Sequence, residues 1–416
     1  MLTNEQAIQS VLARVEVVCP AVGRLTTLDH LKATAPFDPQ VKAMVTAFSR
    51  RLAQDPEARA FPEIVALAHW LRPRAILDLE EAFRAGLPAG TVALGRGLAL
   101  HFAPGNVDTI FLYSALLSVL AGNATVVRVS SRDSAQIGLL TRVLGTVLAD
   151  PAFAAVAARI RIVRYAREAA ITAALSATCD LRVIWGGDAS VREIKAFPLP
   201  PRARDLPFPD RWSLSVIDAA TLNAEGTDLP AVARSFANDA YWFGQMACSS
   251  PRLVLWHGEA HAAEEAACRF WPEVQRQAQS FAPALQAVQY VDKLVAQCSA
   301  VIDGTAQHIR ATGTNLVSVA GMDRLQLPAS ELLHIGGGLF WEARLPALSD
   351  LTPLLDSRSQ TIASFGMAGP LWADWVQREA AQIDRIVPLG QALQFDTIWD
   401  GQDLLRDFTR LVAIRC

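Results

Sequence analysis

The chain is poor in lysine, in paired cysteines and in long apolar runs. Only four of its 38 basic residues are lysine, and the net charge is −3 with a pI near 6.2. This balance gives no electrostatic reason to expect nucleic acid or an anionic membrane as a partner. The six cysteines include no C-x-x-C pair, which argues against a disulfide framework or a structural zinc site and favours a reducing cytoplasm.

The most apolar stretch is Ile110–Val127, but it contains serine, glycine and asparagine. It is too short and too polar for a spanning helix, so we predict a buried helix followed by a strand. The N-terminus has no basic region before an apolar core, and we expect a helix capped by Asn4 there rather than a signal peptide. Hydrophobic residues make up 51% of the 416, which predicts a globular chain of two or three domains.

Residues 1–90 are predicted to be mostly helical, with Asp38 capping a helix that begins at Pro39. From residue 91, short β-branched runs alternate with helical stretches, one of them opened by Asp133. Alternation at this spacing predicts an α/β fold with a parallel sheet covered by helices, which binds dinucleotides at the carboxyl ends of its strands. The predicted strands are Thr91–Phe102, Ala124–Val129, Arg159–Arg164 and Leu181–Trp185.

The proline-rich stretch Pro198–Pro209 is predicted to be extended chain that crosses between domains. A second alternating region follows it. Its predicted parts are strands at Ser213–Ile217 and Arg252–Trp256, a turn at Gly336–Gly338 and the segment Asp356–Phe365.

Four segments carry residues suited to chemistry, and each is expected where a strand gives way to a loop or helix. In the first, Phe102–Asp108, Gly105 lets a backbone approach a ligand closely. Asn106 offers an amide donor of the kind that stabilises an oxyanion. The same Pro-Gly-Asn sequence is also typical of an ordinary turn.

The second segment, Ala121–Asp133, ends a predicted strand at Arg128 and continues through Ser130 and Ser131. An arginine and two hydroxyls there suit a ribose or a 2′-phosphate. The alternative is a solvated charge at the end of a strand.

The third segment, Trp185–Val191, has two glycines before a predicted helix. This geometry suits a pyrophosphate on free backbone N–H groups, although the G-x-G-x-x-G fingerprint is absent. Asp188 is equally suited to be a plain N-cap.

The fourth segment, Tyr241–Arg252 (YWFGQMACSSPR), contains Cys248. A thiolate is a strong nucleophile and a fair leaving group, so a cysteine is a natural acceptor for an acyl group. One cysteine of six is also commonly a small buried side chain. His257 and His261 lack the metalloprotease pattern, and neither a G-x-S-x-G elbow nor a P-loop occurs, so we expect no metal site.

In this order the segments resemble the aldehyde dehydrogenase superfamily. They resemble more closely its thioester-reducing branch, the acyl-CoA reductases typified by the LuxC fatty acid reductase of bacterial bioluminescence. The resemblance runs from about residue 90 to the end. It rests on APGNVD, AGNATVVRVSSRD, VIWGGDASVREI, FGQMACSSPR and the closing stretch Asp384–Val412.

The resemblance implies an aldehyde dehydrogenase-like α/β fold. Its parts would be a helical region (1–90) packed on a dinucleotide-binding domain (91–212), a catalytic cysteine domain (213–385) and a C-terminal segment (386–416) that returns to an oligomer interface. The site would lie in the crevice between the domains.

The family's roles fall on particular positions of this sequence. Cys248 stands where the catalytic cysteine stands, and Asn106 where an asparagine completes the oxyanion hole with the cysteine's own N–H. Arg128 stands where dehydrogenases usually place a lysine against the adenosine ribose, and Ser131 where many NAD-dependent members carry glutamate. This difference favours NADPH, with NADH as the alternative. The other implied cofactor contacts are Pro104, Gly105, Ser130, Gly186, Gly187, Asp188 and Val191.

The departures from the family pattern are informative. Hydrolytic aldehyde dehydrogenases carry a glutamate that activates water, and the equivalent region here, Pro207–Trp212, has none. A missing base suits an enzyme that keeps its acyl-cysteine away from water, and it leaves the general acid unassigned, with Asp108 as one candidate. We also expect a nearby helix N-terminus to favour the thiolate.

We therefore expect a cytoplasmic enzyme that reduces an acyl thioester to the aldehyde with NADPH. The acyl donor would be coenzyme A, a carrier protein or an acyl-protein synthetase, and the enzyme a homodimer or homotetramer. The alternatives are an oxidative aldehyde dehydrogenase, an acyl-phosphate reductase and a non-catalytic subunit that binds an acyl carrier or partner enzymes. Cys248 and Asn106 together argue against the last.

Overall fold

The computed structural model describes residues 10–21, 25, 31–105, 107–132, 134–284, 287–311, 313–329, 333 and 335–415. The chain divides into two compact units. Unit 1 comprises Met1–Pro209, Phe395–Ile398 and Gln402–Cys416, and unit 2 comprises Asp210–Gln394 and Trp399–Gly401.

Between residues 31 and 90, which the structure describes throughout, three α-helices each begin at a proline, a residue suited to the first helical position. The Asp38 carboxylate accepts a hydrogen bond from the Gln40 N–H at 2.8 Å, which confirms the predicted cap. The expected Asn4 cap lies outside the described residues. A strand that precedes these helices was not predicted. The elements are β1 (Glu16–Cys19), α1 (Pro39–Gln54), α2 (Pro62–Trp70) and α3 (Pro73–Ala85).

The rest of this part of unit 1 alternates strands and helices, as predicted. In chain order these are β2 (Thr91–Gly95), β3 (Leu98–Phe102), α4 (Ile110–Leu120), β4 (Ala124–Arg128), α5 (Ala135–Leu148), α6 (Ala154–Ala157), β5 (Ile160–Arg164), α7 (Ala169–Thr178), β6 (Leu181–Trp185), α8 (Asp188–Lys195) and β7 (Arg204–Phe208). The sheet has the order β1-β5-β4-β3-β6-β7, and its strands pair in parallel except β1 with β5.

The run Thr91–Phe102, predicted as one strand, is two. It breaks at Gly97, whose φ of 141° lies outside the extended region, and the N–H groups of Arg96 and Gly97 both donate to Asn123 Oδ1. The proline-rich stretch is only partly extended, because it first turns at Pro200–Ala203, where the Ala203 N–H donates to the Pro200 carbonyl at 2.9 Å. Its second half is the edge strand β7, where a proline is tolerated because one side of the strand is unpaired.

Helix α4 is buried along its whole length and is followed by β4, which confirms the interpretation of the most apolar stretch. No single helix in the described part of the chain is long and apolar enough to cross a membrane. Helix α5 with the helical residues Pro151–Ala157 reaches that length and composition only as a pair bent by 93°.

Unit 2 contains a second sheet of mostly parallel strands. Its elements are β8 (Trp212–Asp218), α9 (Ala219–Asn223), α10 (Leu229–Tyr241), β9 (Pro251–His257), α11 (Ala260–Ala278), α12 (Ala287–Ile302), β10 (His308–Ala311), β11 (Ser318–Gly321), β12 (Leu339–Leu345), β13 (Ser359–Phe365), α13 (Gly369–Glu379) and β14 (Arg385–Pro388). The order is β10-β11-β12-β9-β8-β13-β14, and only β10 is antiparallel to its neighbour. Two separate apolar cores contain alternate residues of its strands, one with α10 and α11 and the other with α13.

The last elements of the chain are β15 (Ile398–Trp399), β16 (Gln402–Asp403), α14 (Leu404–Asp407) and β17 (Thr409–Ala413), and from Gln402 onward the chain belongs to unit 1. Strand β17 pairs with β2 in an antiparallel ribbon. Asp400 and Gly401 form the two-residue turn between β15 and β16, and both have positive φ (47° and 71°). An Asp-Gly pair suits such a hairpin turn because aspartate tolerates the left-handed conformation and glycine has no Cβ to oppose it.

Candidate active site

Cys248 lies in unit 2 in the segment that joins α10 to β9. The expectation that this segment follows a strand is wrong, because Cys248 comes three residues before β9 begins. The residues around it are also at the amino ends of parallel strands: Ser213 is the second residue of β8, Gly338 precedes β12, and Gln360 is the second residue of β13. This edge of the sheet, and not its carboxyl edge, therefore carries the candidate nucleophile.

The backbone before Cys248 is held in an unusual conformation. Phe243, Gly244 and Gln245 have φ values of 57°, 60° and 67°. Glycine adopts this left-handed conformation freely, but Phe243 and Gln245 do so at a cost of about 1–2 kcal/mol each. The glycine turn Gly336–Gly338 packs against this segment, and the Gly337 N–H donates to the Gly244 carbonyl at 3.0 Å. A Cβ at Gly338 would lie 2.0 Å from the Leu316 carbonyl oxygen, so this close approach requires glycine.

Gln245 ties the cysteine segment to the strands beside it. Its side chain is fully buried, and Nε2 donates to the carbonyls of Pro251 (3.1 Å) and Leu339 (3.0 Å). Its Oε1 accepts from the Gly338 N–H at 2.8 Å. The three bonds satisfy three buried backbone groups and stabilise the strained conformation.

Cys248 is a half-buried residue whose sulfur contacts an amide donor. Gln360 Nε2 donates to Cys248 Sγ at 3.2 Å, and the Ser213 hydroxyl donates to the Cys248 carbonyl at 2.7 Å. The Ser249 hydroxyl donates to Gln360 Oε1 at 2.9 Å. These contacts hold both the thiol and its amide donor in place.

Burial raises the pKa of the Cys248 thiol, and the Asp400 carboxylate raises it further. Hydrogen bonds from Gln360 and Ser249 and the positive charge of Arg252 act in the opposite direction. Burial also lowers the pKa of Arg252 to about 10. The helix end in this segment is the C-terminus of α10, whose dipole disfavours an anion, so the expected helix N-terminus is not supplied by the segment itself.

A carboxylate lies behind the amide. Gln360 Nε2 donates to Asp400 Oδ1 at 2.5 Å, and the Arg211 guanidinium lies between Asp400 (3.7 Å) and Asp384 (3.1 Å). Burial raises the pKa of Asp400 to about 6. The sequence analysis missed Gln360 and Asp400. The dipeptide Asp400-Gly401 could have predicted a turn at this position, but nothing in the sequence indicated which side chains Asp400 contacts.

The other described cysteines differ from Cys248. Burial raises the pKa of Cys19 and of Cys179 to about 12, so both are inert at neutral pH. Cys268 and Cys298 are exposed, and the hydrogen bond from Cys268 to Glu264 raises its thiol pKa. Cys416 lies outside the described residues.

The residues expected to bind the dinucleotide lie in unit 1, at the carboxyl ends of β3, β4 and β6. These strands are neighbours in the order β4-β3-β6. The strand that follows β3 in the chain, β4, lies on one side of the β3-β6 pair, and the strand that follows β6, β7, lies on the other side, so the strand order reverses between β3 and β6. Ligands bind at such a switch point in open α/β sheets. The expected oxyanion donor Asn106 lies outside the described residues.

The first two segments meet at this edge. Pro104 and Gly105 follow β3, and a Cβ at Gly105 would have no atom within 4 Å, so the space beside it is open. The Arg132 guanidinium donates to the Gly105 carbonyl at 2.7 Å, and Ser130 Oγ accepts from the Arg132 N–H. The helix expected to open at Asp133, which is outside the described residues, has Ser134 as its N-cap.

Arg128 and Ser131 share a partner at the end of β4. Arg128 Nη2 and Ser131 Oγ donate to the Tyr165 carbonyl at 3.4 and 3.1 Å, and the guanidinium lies over the Tyr165 ring at 5.5 Å. Burial lowers the pKa of Arg128. Asp108, the candidate general acid, accepts a hydrogen bond from Ser134 at the start of α5.

The third segment begins a helix, as predicted. Gly187 and not Asp188 is the N-cap of α8, and it supplies no side-chain cap, while Asp188 lies in the first turn. Val191 is buried in the core of the sheet. His257, which the sequence analysis considered as a metal ligand, is hydrogen-bonded to Asp218 at 3.1 Å. The described residues contain no group of three or more His, Cys, Asp or Glu side chains that could hold a metal ion.

The fold is that of the aldehyde dehydrogenases. An indole-3-acetaldehyde dehydrogenase solved in complex with NAD⁺ aligns with 98% of this chain and 87% of its own, with a TM-score of 0.63 and 14% identity. An aldehyde dehydrogenase of Mycobacterium tuberculosis, also solved with NAD⁺, aligns over 99% and 88%, with a TM-score of 0.60 and 12% identity.

The chain belongs to the acyl-CoA reductase (LuxC) family, whose model matches residues 36–299. It is 25% identical over 169 residues to the long-chain acyl-protein thioester reductase 2 of Photobacterium leiognathi, and the aligned stretch covers 40% of this chain and 34% of that protein. It is also 25% identical over 164 residues to the long-chain acyl-protein thioester reductase of Aliivibrio fischeri, where the aligned stretch covers 39% of this chain and 33% of that protein. Each match spans about a third of the relative's length. The family expected from the sequence is confirmed.

Proposed function

We propose that this protein is an acyl-thioester reductase that converts a fatty or other acyl thioester to the aldehyde through an acyl group on Cys248. The observation that carries the proposal is a partly exposed cysteine in a member of this family, with its sulfur in contact with an amide donor. The two relatives named above are acyl-protein thioester reductases, which supports the same reaction class.

Cys248 is the nucleophile in this proposal. Its thiol proton leaves, Sγ attacks the thioester carbonyl, and the carbon–sulfur bond to the carrier breaks so that the carrier thiol departs with a proton. The acyl group then remains as a thioester on Cys248. Asn106 and the Cys248 N–H are proposed to stabilise the oxyanion; one such donor is typically worth about 3–4 kcal/mol of barrier.

The reduced nicotinamide dinucleotide supplies a hydride to the acyl carbon when it is bound. The resulting thiohemiacetal on Cys248 collapses as the carbon–sulfur electron pair returns to sulfur, which releases the aldehyde and frees the cysteine. Hydride must arrive before water, which agrees with the absence of a glutamate in Pro207–Trp212.

The residues of unit 1 suit a dinucleotide. Gly105 borders open space, the uncapped start of α8 after Gly186 and Gly187 offers backbone N–H groups to a pyrophosphate, and Arg128 carries a positive charge. Asp188 in the first turn would oppose a phosphate. Arg128 together with Ser131, in place of a carboxylate, favours NADPH over NADH.

The acyl donor is proposed to be coenzyme A or an acyl-protein, with an acyl-protein synthetase as a partner enzyme. We further propose a cytoplasmic homodimer or homotetramer that uses the ribbon of β2 and β17. Val92 and Leu411 in this ribbon are each about half exposed, which suits a surface covered by a second copy.

The experiment is NADPH consumption with acyl-CoAs of increasing chain length and identification of the trapped aldehyde. We expect turnover with one class of chain length, and Cys248→Ala should abolish it while NADPH still binds. Aldehyde formation by the Cys248→Ala variant would overturn the assignment. Turnover only with an acyl phosphate, or only in the oxidative direction, would identify one of the two alternative reactions. If the protein showed no turnover and Cys248 were not acylated, the result would favour a non-catalytic subunit.

A further inference from the structure

The side chain of Gln360 faces the sulfur of Cys248 and the carboxylate of Asp400 at the same time. We propose that Gln360 is a catalytic residue whose amide stabilises the Cys248 thiolate, and that Asp400 is a positioning residue that orients this amide. The inference rests on the proposed function only in taking Cys248 as the reacting nucleophile.

The orientation of the Gln360 amide follows from its three neighbours. An ionised carboxylate accepts hydrogen bonds and cannot donate them, so the NH₂ group and not the oxygen must face Asp400. Nε2 has two hydrogens; one meets Asp400 Oδ1 at 2.5 Å and the other meets Cys248 Sγ at 3.2 Å. Oε1 accepts from the Ser249 hydroxyl at 2.9 Å. The amide therefore has all its polar atoms engaged, with a donor on the sulfur.

Burial makes this arrangement effective. Gln360 is 3% exposed and the Asp400 side chain 2% exposed, so water cannot substitute for these bonds. A hydrogen bond to an ionised partner in such a setting is about twice as strong as one between neutral groups. The bond to Cys248 therefore strengthens when the thiol loses its proton.

The charged groups around Asp400 are mixed in sign. Arg211 and Arg385 favour its ionised form, whereas Asp384 and burial oppose it, and burial has the largest effect. Asp400 is therefore mostly ionised at neutral pH and protonated in mild acid. A protonated Asp400 can donate to Oε1, so the amide is then free to rotate and place its oxygen against the sulfur.

Gln360 contributes at two points of the reaction. As the Cys248 S–H bond breaks before attack, its amide hydrogen bonds the sulfur anion. When the thiohemiacetal collapses, the electron pair of the carbon–sulfur bond returns to sulfur, and the same hydrogen bond stabilises the leaving thiolate. Asp400 takes no proton from the substrate in either step.

The test is the rate at which iodoacetamide alkylates Cys248 as a function of pH, followed by mass spectrometry of the full-length protein. Gln360→Met retains the length of the side chain and removes the donor. We expect its alkylation rate at pH 7 to fall at least tenfold, because the midpoint of the pH profile moves up by about one unit. Gln360→Glu places an acceptor beside the sulfur and should move the midpoint at least as far.

The control is Gln307→Met, which removes an exposed amide bonded only to the Gly304 carbonyl among the described residues. Its profile should match the unmodified protein. Circular dichroism shows which of the two Gln360 variants folds. If a folded variant has the same pH profile of Cys248 alkylation as the unmodified protein, the proposed role of Gln360 is overturned.

A double-mutant cycle tests Asp400. Asparagine tolerates the positive φ at this position, and its NH₂ can donate to Gln360 Oε1, so Asp400→Asn frees the amide to rotate. In this background Gln360→Met should slow alkylation less than threefold. An undiminished tenfold effect would overturn the positioning role.

Alkylation requires neither substrate nor cofactor, so it separates this inference from the proposed function. If the Gln360 variants show no shift in the alkylation profile while the unmodified protein makes aldehyde, only the role of Gln360 is rejected. If the variants show the shift while the unmodified protein reduces no thioester, only the proposed reductase function is rejected.

Discussion

Replacing Gln245 with methionine removes the amide that joins the cysteine segment to two strands. The side chain makes three hydrogen bonds with backbone groups of Pro251, Leu339 and Gly338, all within a fully buried site. Methionine has a similar length but cannot donate to the two carbonyls or accept well from the N–H. Three buried backbone groups are therefore left without partners.

The size of the effect follows from those groups. A lost hydrogen bond that leaves a buried group unsatisfied costs about 1–3 kcal/mol, so three of them predict a fall of roughly 3–9 kcal/mol in the free energy of unfolding of unit 2. The left-handed backbone of residues 243–245 is common to the folded states of both proteins, so its strain does not enter the difference.

The assay is urea unfolding with hydrogen exchange of peptides from β9 and β12, which reports on unit 2 by itself. Gln307→Met is the matched control, because it removes an amide of the same type from an exposed position. A loss below 1 kcal/mol in Gln245→Met, equal to that of the control, would refute the reasoning.

Two further predictions concern charge. Burial raises the pKa of Asp239 to about 7 although the Gly390 and Ala392 N–H groups donate to it, so its contribution to stability, present below pH 4, is lost as the pH rises to 7. Asp239→Asn should flatten the fall in the free energy of unfolding between pH 4 and 7, and an unchanged slope would count against it. Arg128→Ala should raise KM for NADPH about tenfold and leave KM for NADH nearly unchanged; equal changes would reject contact with a 2′-phosphate.

Much of the fold could be predicted because its signals are local. The helix at Pro39 begins at its expected cap since one carboxylate and two nearby N–H groups form it. The strand and helix alternation follows from the periodicity of apolar residues, and the burial of α4 from its lack of charge. The family and Cys248 were recognisable for a related reason, because several short segments occur in one order along the chain.

The break at Gly97 depended on contacts that are distant in sequence. The Arg96 and Gly97 N–H groups bond to Asn123, which lies 26 residues beyond Gly97, and no local pattern announces such a bond. The apolar pattern alone joined β2 and β3, whereas β2 pairs with the C-terminal strand β17.

The surroundings of Cys248 show most clearly the difference between features with local sequence signals and features that depend on contacts distant in sequence. Residue types and short spacings were enough to predict the family and the alternating elements, and to single out Cys248 as the candidate nucleophile. The groups around the sulfur became visible only in the folded chain, because Gln360 is 112 residues from Cys248, and Asp400, which bonds to Gln360, is another 40 beyond. Parallel pairing of β13 beside β8 brings Gln360 to the same edge of the sheet as the cysteine segment. Register between distant strands, rather than any local preference, therefore sets the environment of the thiol.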